Sequence, residues 1–166
     1  MPKRYVSALA SALAFLVVAA LPVAPAGGAE ERKVPRFTSL RAAEANLRTG
    51  PGIRYPVEWV FVRRGMPVEV VAEFDSWRKI RDWEGTEGWV HQSMLSSRRM
   101  MVVTGQVRDL SKRPVPETEV VARIEADVIG RLLECERAWC RVEIAGFRGW
   151  LRRGEFWGAY VDEKVN

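Results

Sequence analysis

Short runs of β-branched and aromatic residues, separated by breaks that contain glycine or proline, fill the chain after residue 44. A run such as Val57–Val62 has no helical period and is typical of a strand. Ser39–Leu47 contains helix formers, but Asn46–Arg48 runs into the turn Gly50–Gly52, which favours a strand there. Many short strands at close spacing predict an all-β fold, a small barrel or a sandwich. The other predicted strands are Pro67–Phe74, Trp77–Asp82, Thr86–His91, Met100–Val103, Val120–Ile124, Ile129–Glu134, Cys140–Ile144 and Phe147–Leu151.

One hairpin signature occurs twice. In each copy a tryptophan opens the first strand, a glycine lies in the turn, and a Gly-Trp pair follows three residues after that glycine. The two tryptophans are 12 residues apart in the first copy and 11 in the second. Such internal similarity predicts two small β modules in tandem. The copies are Trp77, Gly85, Gly88 and Trp89, and Trp139, Gly146, Gly149 and Trp150.

Residues 1–29 have the features of a secretory signal peptide. Lys3 and Arg4 precede an uncharged apolar run, Val6–Val23, which is followed by small residues up to Ala29. The run is near the lower length limit for a membrane-spanning helix, so an uncleaved anchor is the alternative. The small residues favour cleavage, after Ala29 or Ala26. We therefore expect export to the periplasm.

The rest of the chain is expected to form two modules. Residues 30–37 read as a flexible lead-in and residues 38–103 as the first module. Residues 104–117 read as a linker with the degenerate start of the second module, which continues over 118–161. Modules of roughly 60 residues are near the lower limit for one core, so large aromatic side chains or a covalent bond should support them.

Charge excludes one class of partner. The chain has 26 basic and 21 acidic residues, and removal of Lys3 and Arg4 with the signal peptide would leave 24 basic residues. This balance is weak and evenly interspersed, which argues against nucleic acid. An anionic envelope polymer stays possible, and membrane contact is expected only through the export signal.

Cys135 and Cys140 are the only cysteines, and they lie on either side of a predicted hairpin turn. Opposed residues of a hairpin come within disulfide range, and an oxidising periplasm favours the bond. A redox-active pair and a metal site are the alternatives. Redox pairs usually have the C-x-x-C spacing, and zinc needs further ligands that the single His91 does not supply. A structural disulfide worth on the order of 2 kcal/mol is favoured.

Five motifs in the first module have the order and spacing of a bacterial SH3-like (SH3b) domain. They are Asn46–Gly52, Tyr55-Pro56, Gly65–Val70, Trp77–Ile80 and Gly85–His91. The match is strong over Leu40–Val103 and weak over Val120–Tyr160. The chain therefore resembles exported alphaproteobacterial proteins that contain two such modules and little else.

The resemblance implies two tandem SH3-like β-barrels, each small, strongly bent and five- to six-stranded. It also implies a protein that binds rather than catalyses. Separately, the residues predict no cofactor and no metal. Relatives often lie beside cell-wall hydrolases and help them engage peptidoglycan. The second module lacks the Gly-Pro-Gly element, so the resemblance carries no ligand site to it.

Trp77, Trp89, Trp139 and Trp150 occupy the repeated hairpin frame in both copies. Large aromatic residues are the usual filling of a small core, so the favoured interpretation is structural packing.

Four other residues in the first module are candidates for ligand binding. Arg48 and Tyr55 flank the glycine-rich turn and could hold a carboxylate. The alternative is that Arg48 pairs with Glu44 or Asp82 and that Tyr55 packs on Pro56. Trp59 and Trp83 have no aromatic counterpart in the second module. At a hairpin tip, Trp83 could stack on a sugar or a peptide, or could simply be an exposed aromatic residue.

His91 is the only histidine and hence the only candidate for a general base near neutral pH. Ser93 is close in sequence, but no motif for an oxyanion hole accompanies it. We expect His91 to cap the Gln92-Ser93 turn and the protein not to be an enzyme.

The leading hypothesis is a noncatalytic periplasmic protein that engages peptidoglycan or another envelope component, mainly through the first module. An interaction or scaffold module of the envelope with no polymer ligand is the alternative. A redox-responsive adaptor built on Cys135 and Cys140 is a third hypothesis.

Overall fold

The computed structural model describes residues 33–166. The fold is all-β, as predicted, and consists of two antiparallel sheets of seven strands each. Within residues 33–166 no helix is long and apolar enough to cross a membrane. The predicted signal peptide lies outside the described residues.

The first sheet wraps around its own core in the strand order β3-β2-β6-β5-β4-β1-β7. A short 3₁₀ turn, Gln92–Met94, leads into its last strand. The strands are β1 (Arg36–Leu40), β2 (Ala45–Arg48), β3 (Val57–Phe61), β4 (Pro67–Phe74), β5 (Trp77–Arg81), β6 (Glu87–His91) and β7 (Leu95–Ser96).

The second sheet has the same topology, in the order β10-β9-β13-β12-β11-β8-β14. A 3₁₀ turn, Arg153–Glu155, again precedes the last strand. The tandem repeat inferred from one hairpin therefore extends to every strand. The strands are β8 (Met100–Val103), β9 (Arg108–Ser111), β10 (Val120–Ile124), β11 (Ile129–Glu136), β12 (Trp139–Ile144), β13 (Phe147–Arg152) and β14 (Phe156–Trp157).

The boundary between the modules differs from the prediction. Met100–Val103 was expected to close the first module, but as β8 it pairs with β11 and β14 and opens the second. Its counterpart in the first module is β1, which includes Arg36 and Phe37 of the predicted flexible lead-in. The assignment of β8 and that of the start of β1 were wrong for the same reason. The partners of these strands lie about 30 or more residues away, and the local sequence pattern does not show them.

Each core depends on a glycine of the repeated Gly-Trp pair. A Cβ atom on Gly88 would lie 2.6 Å from Cγ of Leu47, and one on Gly149 would lie 2.6 Å from Cγ of Leu110. Both leucines are fully buried. The glycines therefore allow β6 and β13 to cross closely over the cores.

The predicted disulfide is present. Cys135 and Cys140 are directly opposed in the β11–β12 hairpin, and both are buried. The corresponding cross-strand pair in the first module is Glu73 and Arg78, joined by an ion pair of 3.0 Å. The second module thus has a covalent bond where the first has an electrostatic one.

A buried carboxylate connects the two modules. Glu69 of β4 is only 4% exposed. Its Oε2 accepts hydrogen bonds from Arg81 of β5, the shorter being 2.5 Å. Its Oε1 accepts one of 2.7 Å from the hydroxyl of Tyr160, which lies beyond the second sheet. Burial, followed by this hydrogen bond, raises the pKa of Tyr160, so the hydroxyl stays protonated and able to donate.

Aromatic side chains and the C-terminal segment complete this contact. Phe37 of β1 packs against Trp157 and Tyr160, with ring centroids 4.7 and 4.6 Å away. Arg99 donates to both carboxylate oxygens of Glu163, at 2.5 and 2.9 Å. Burial alone would raise the pKa of Glu163, but the bonds and charge of Arg99 outweigh it and lower that pKa.

Tyr160→Phe is expected to reduce the free energy of unfolding by about 1–3 kcal/mol, because the buried Glu69 loses a hydrogen-bond donor. Urea unfolding measures the effect. Tyr55→Phe, at an exposed tyrosine, is the matched control and should change stability by less than about 0.5 kcal/mol. Equal effects of the two variants would contradict a stabilising role for the Tyr160 hydroxyl.

The disulfide is expected to resist mild reductant in the native protein, since both cysteines are almost completely buried and an attacking thiolate has little access to them. Thiol titration should find reactive cysteines only when reductant and denaturant are both present. Reductant alone and denaturant alone are the controls. Two reactive thiols in the reduced but folded protein would instead favour the redox-responsive adaptor.

Candidate functional site

Most of the large exposed apolar residues of the first module lie in β3 and the turn before it. We define the β3 surface as Ile53, Tyr55, Val57 and Trp59. Trp59 is 57% exposed and Tyr55 is 47% exposed. Because β3 lies at the end of the sheet and pairs only with β2, its other edge is unpaired within residues 33–166.

Arg48 fixes the turn rather than projecting towards a ligand. Its Nη1 donates to the carbonyl oxygens of Ile53 and Tyr55, at 3.1 and 2.8 Å. The same guanidinium nitrogen therefore holds both ends of the segment that leads to Tyr55. The predicted partners, Glu44 and Asp82, are not the ones that the structure gives to Arg48.

The ring of Tyr55 packs against Gly50. A Cβ atom at Gly50 would lie 2.4 Å from two carbons of that ring, so no side chain fits there. The packing partner is this glycine rather than Pro56. Tyr55 and Trp59 are both exposed, and both remain candidates for ligand binding.

Trp83 is not the exposed platform considered from the sequence. The buried Asp82 beside it accepts hydrogen bonds through Oδ1 from the backbone of Glu84 and Thr86, at 3.0 and 2.8 Å. These bonds close the turn, and Trp83 packs half-buried against the core of the first module. Its main contribution is structural.

The four repeated tryptophans do not belong to the buried cores, so the prediction that they fill the core is wrong. Trp89 lies between the buried residues Gly88 and Val90, and Trp150 lies between Gly149 and Leu151. Because side chains alternate along a strand, these indoles project from the outer face of the sheet. All four tryptophans, including Trp77 and Trp139, are half-buried.

On the outer face each hairpin pairs a tryptophan with a basic or titratable residue. Trp77 is opposite His91, with ring centroids 5.7 Å apart. Trp139 is opposite Arg152, whose Cζ lies 5.1 Å from the indole centroid. The second pair is within the range of a cation–π interaction.

The second module has no equivalent of the β3 surface. In β10, Val121 and Ala122 pack against the core and Ile124 is buried. The preceding segment lacks the Gly-Pro-Gly turn and has no aromatic residue at the position of Tyr55.

His91 has the capping role expected of it. Its Nδ1 lies 2.7 Å from Oγ of Ser93 and accepts a hydrogen bond from the Ser93 backbone N–H. Among the described residues, no three His, Cys, Asp or Glu side chains lie close enough to hold a metal ion.

Three solved structures are similar to the chain at low identity. NlpC2 from Trichomonas vaginalis has a TM-score of 0.36 and 9% identity, over 76% of this chain and 49% of that one. NlpC1 from the same organism has a TM-score of 0.35 and 10% identity, over 76% and 46%. An NlpC/P60 family protein from Bacillus cereus ATCC 10987 has a TM-score of 0.34 and 16% identity, over 72% and 55%. The chain spans about half the length of these proteins.

No curated protein matches the chain. The family model described as bacterial SH3 domain matches it twice, over residues 41–97 and 109–158. The two matched regions fall on the two sheets and together cover more than half of the sequence. The chain therefore belongs to the bacterial SH3 domain family and contains two of these domains in tandem.

Proposed function

We propose that the protein is a noncatalytic binding protein of the periplasm that engages peptidoglycan through the β3 surface of its first module. Family membership supports a binding role, because bacterial SH3 domains are usually binding modules of the cell wall. The observation that carries the proposal is that two aromatic residues, Tyr55 and Trp59, are both exposed in the edge strand β3 and the turn before it.

The chemistry of the β3 surface suits a polymer of sugars and short peptides. The indole of Trp59 offers a flat apolar face on which a sugar ring can stack, and the Tyr55 hydroxyl adds a polar group at its edge. The exposed Arg54 is adjacent in sequence and can bind a carboxylate of a stem peptide. A rigid turn held by Arg48 reduces the entropy lost on binding.

The unpaired edge of β3 supports a second candidate function. An extended segment of an envelope protein could add to this edge as a further strand, with apolar side chains over Val57 and Trp59. In this alternative the protein is an interaction module and has no polymer ligand.

Trp59→Ala and Tyr55→Ala are expected to weaken binding to isolated sacculi by about tenfold each, since each removes an exposed aromatic contact. Co-sedimentation over a range of sacculus concentrations measures the loss. Phe74→Ala is the matched control, because Phe74 is 60% exposed in the same module but lies at the end of β4.

Two outcomes would contradict the proposal. If the wild-type protein does not sediment above a charge-matched protein, peptidoglycan is not the ligand. If Phe74→Ala loses as much binding as Trp59→Ala, the site is not the β3 surface.

Gly50→Ala is expected to weaken sacculus binding as much as Tyr55→Ala does, because the added methyl group displaces the Tyr55 ring. Gly154→Ala is the control, since nothing lies within 4 Å of a Cβ atom there. The same co-sedimentation assay applies, with circular dichroism to check the fold. Wild-type binding by a folded Gly50→Ala variant would show that the position of Tyr55 does not matter.

A further inference from the structure

An open groove lies at one end of the second module, where the β11–β12 hairpin meets the C-terminal segment Val161–Asn166. It lies outside the β3 surface, and none of its residues belongs to the proposed peptidoglycan site. Its lining includes Arg137, Trp139, Arg152, Arg153, Asp162 and Lys164.

Trp139 and Arg152 form the binding surface of the groove. They are directly opposed on β12 and β13, with the guanidinium carbon 5.1 Å from the indole centroid. An indole offers a flat apolar face, and a guanidinium stacked on it keeps its N–H groups directed outward in the ring plane. The pair therefore combines a stacking surface with donors for a planar anion.

The groove is held in shape by contacts on both sides. Arg153 donates to the carbonyl oxygens of Arg137, Tyr160 and Glu163, at 2.5, 2.6 and 2.6 Å. Cys135, fixed by the disulfide, also pairs through its backbone with Val165. Such preorganisation lowers the entropic cost of binding a ligand.

The charges in the groove favour an anion. Glu163 is paired with Arg99 and contributes little negative charge to the groove. The three side-chain hydrogen bonds of Arg153 go to carbonyl oxygens, and none of them goes to a carboxylate. The basic groups Arg137, Arg152, Arg153 and Lys164 then outnumber the remaining acidic ones, Glu136 and Asp162.

The first module has the corresponding pair, Trp77 and His91, but not the groove. After β7 the chain continues directly into β8, so no segment takes the place of Val161–Lys164. The groove is therefore specific to the second module.

We propose that this groove binds a carboxylate-bearing saccharide. The pyranose ring lies against the part of the half-buried Trp139 indole that Arg152 leaves uncovered, and the carboxylate accepts hydrogen bonds from the guanidinium of Arg152. This goes beyond the proposed function, which uses only the first module, and gives the second module a ligand of its own.

Titration of the purified protein with tri-galacturonate, followed by calorimetry and by the indole N–H resonance of Trp139, tests the proposal. We expect binding that weakens about tenfold in Arg152→Gln, which removes the charged donor, and less in Arg152→Lys, which keeps the charge. Arg123→Gln is the matched control, because the Arg123 side chain is 80% exposed on the same module outside the groove.

Two further ligands test recognition of the sugar and of the carboxylate separately: the neutral trisaccharide maltotriose and inorganic sulfate. Equal binding of maltotriose would exclude recognition of the carboxylate. If sulfate binds as tightly as tri-galacturonate and is weakened equally by Arg152→Gln, the groove is a general anion site and the proposal of a saccharide ligand is wrong. Loss of tri-galacturonate binding in Trp59→Ala would show that the saccharide does not bind in the groove. If Arg152→Gln loses tri-galacturonate binding but keeps sacculus binding, the proposal for the β3 surface is unaffected.

Discussion

The arrangement of the two modules depends on one buried carboxylate. Glu69 is enclosed where the sheets meet, and a buried charge is stable only when it is paired and hydrogen-bonded. Arg81 comes from the same sheet, but Tyr160 comes from beyond the last strand of the second. The first module is therefore completed by residues at the far end of the chain, together with the Phe37 contacts, so the repeats are not independent domains joined by a linker.

The two copies share the residues that the fold requires and differ in the residues that could bind a ligand. The Gly-Trp pair is kept because its glycine lets a strand pass over a leucine, while its tryptophan faces outward. The cross-strand ion pair between Glu73 and Arg78 becomes a disulfide in the second copy, and the glycine-rich turn is lost there. Each module consequently presents a different surface: an aromatic edge strand in the first and a cationic groove in the second.

Local pattern predicted most of the strands, the disulfide and the cap at His91, because each depends on residues close in sequence. It failed where residues distant in sequence determine the pairing of a strand or the partners of a side chain. The sheet of β8 is set by strands that follow it, and Arg48 bonds to backbone carbonyls that no pattern identifies. The prediction for Trp89 assigned the wrong face of β6: Gly88 and Val90 are buried on the core side, so alternation along the strand places the indole outward.

Glu69 also has a consequence for how such modules could be extended. At the matching register of the second sheet the residue is Arg131, opposite Glu143, so the charges of the Glu69–Arg81 pair are exchanged. A tyrosine hydroxyl that donates to a carboxylate at this position in the first module would meet a guanidinium in the second, which has no lone pair to accept. A third copy could not dock on the second module through the same hydrogen bond. The contact between Tyr160 and Glu69 therefore also determines which module can be the first of a pair.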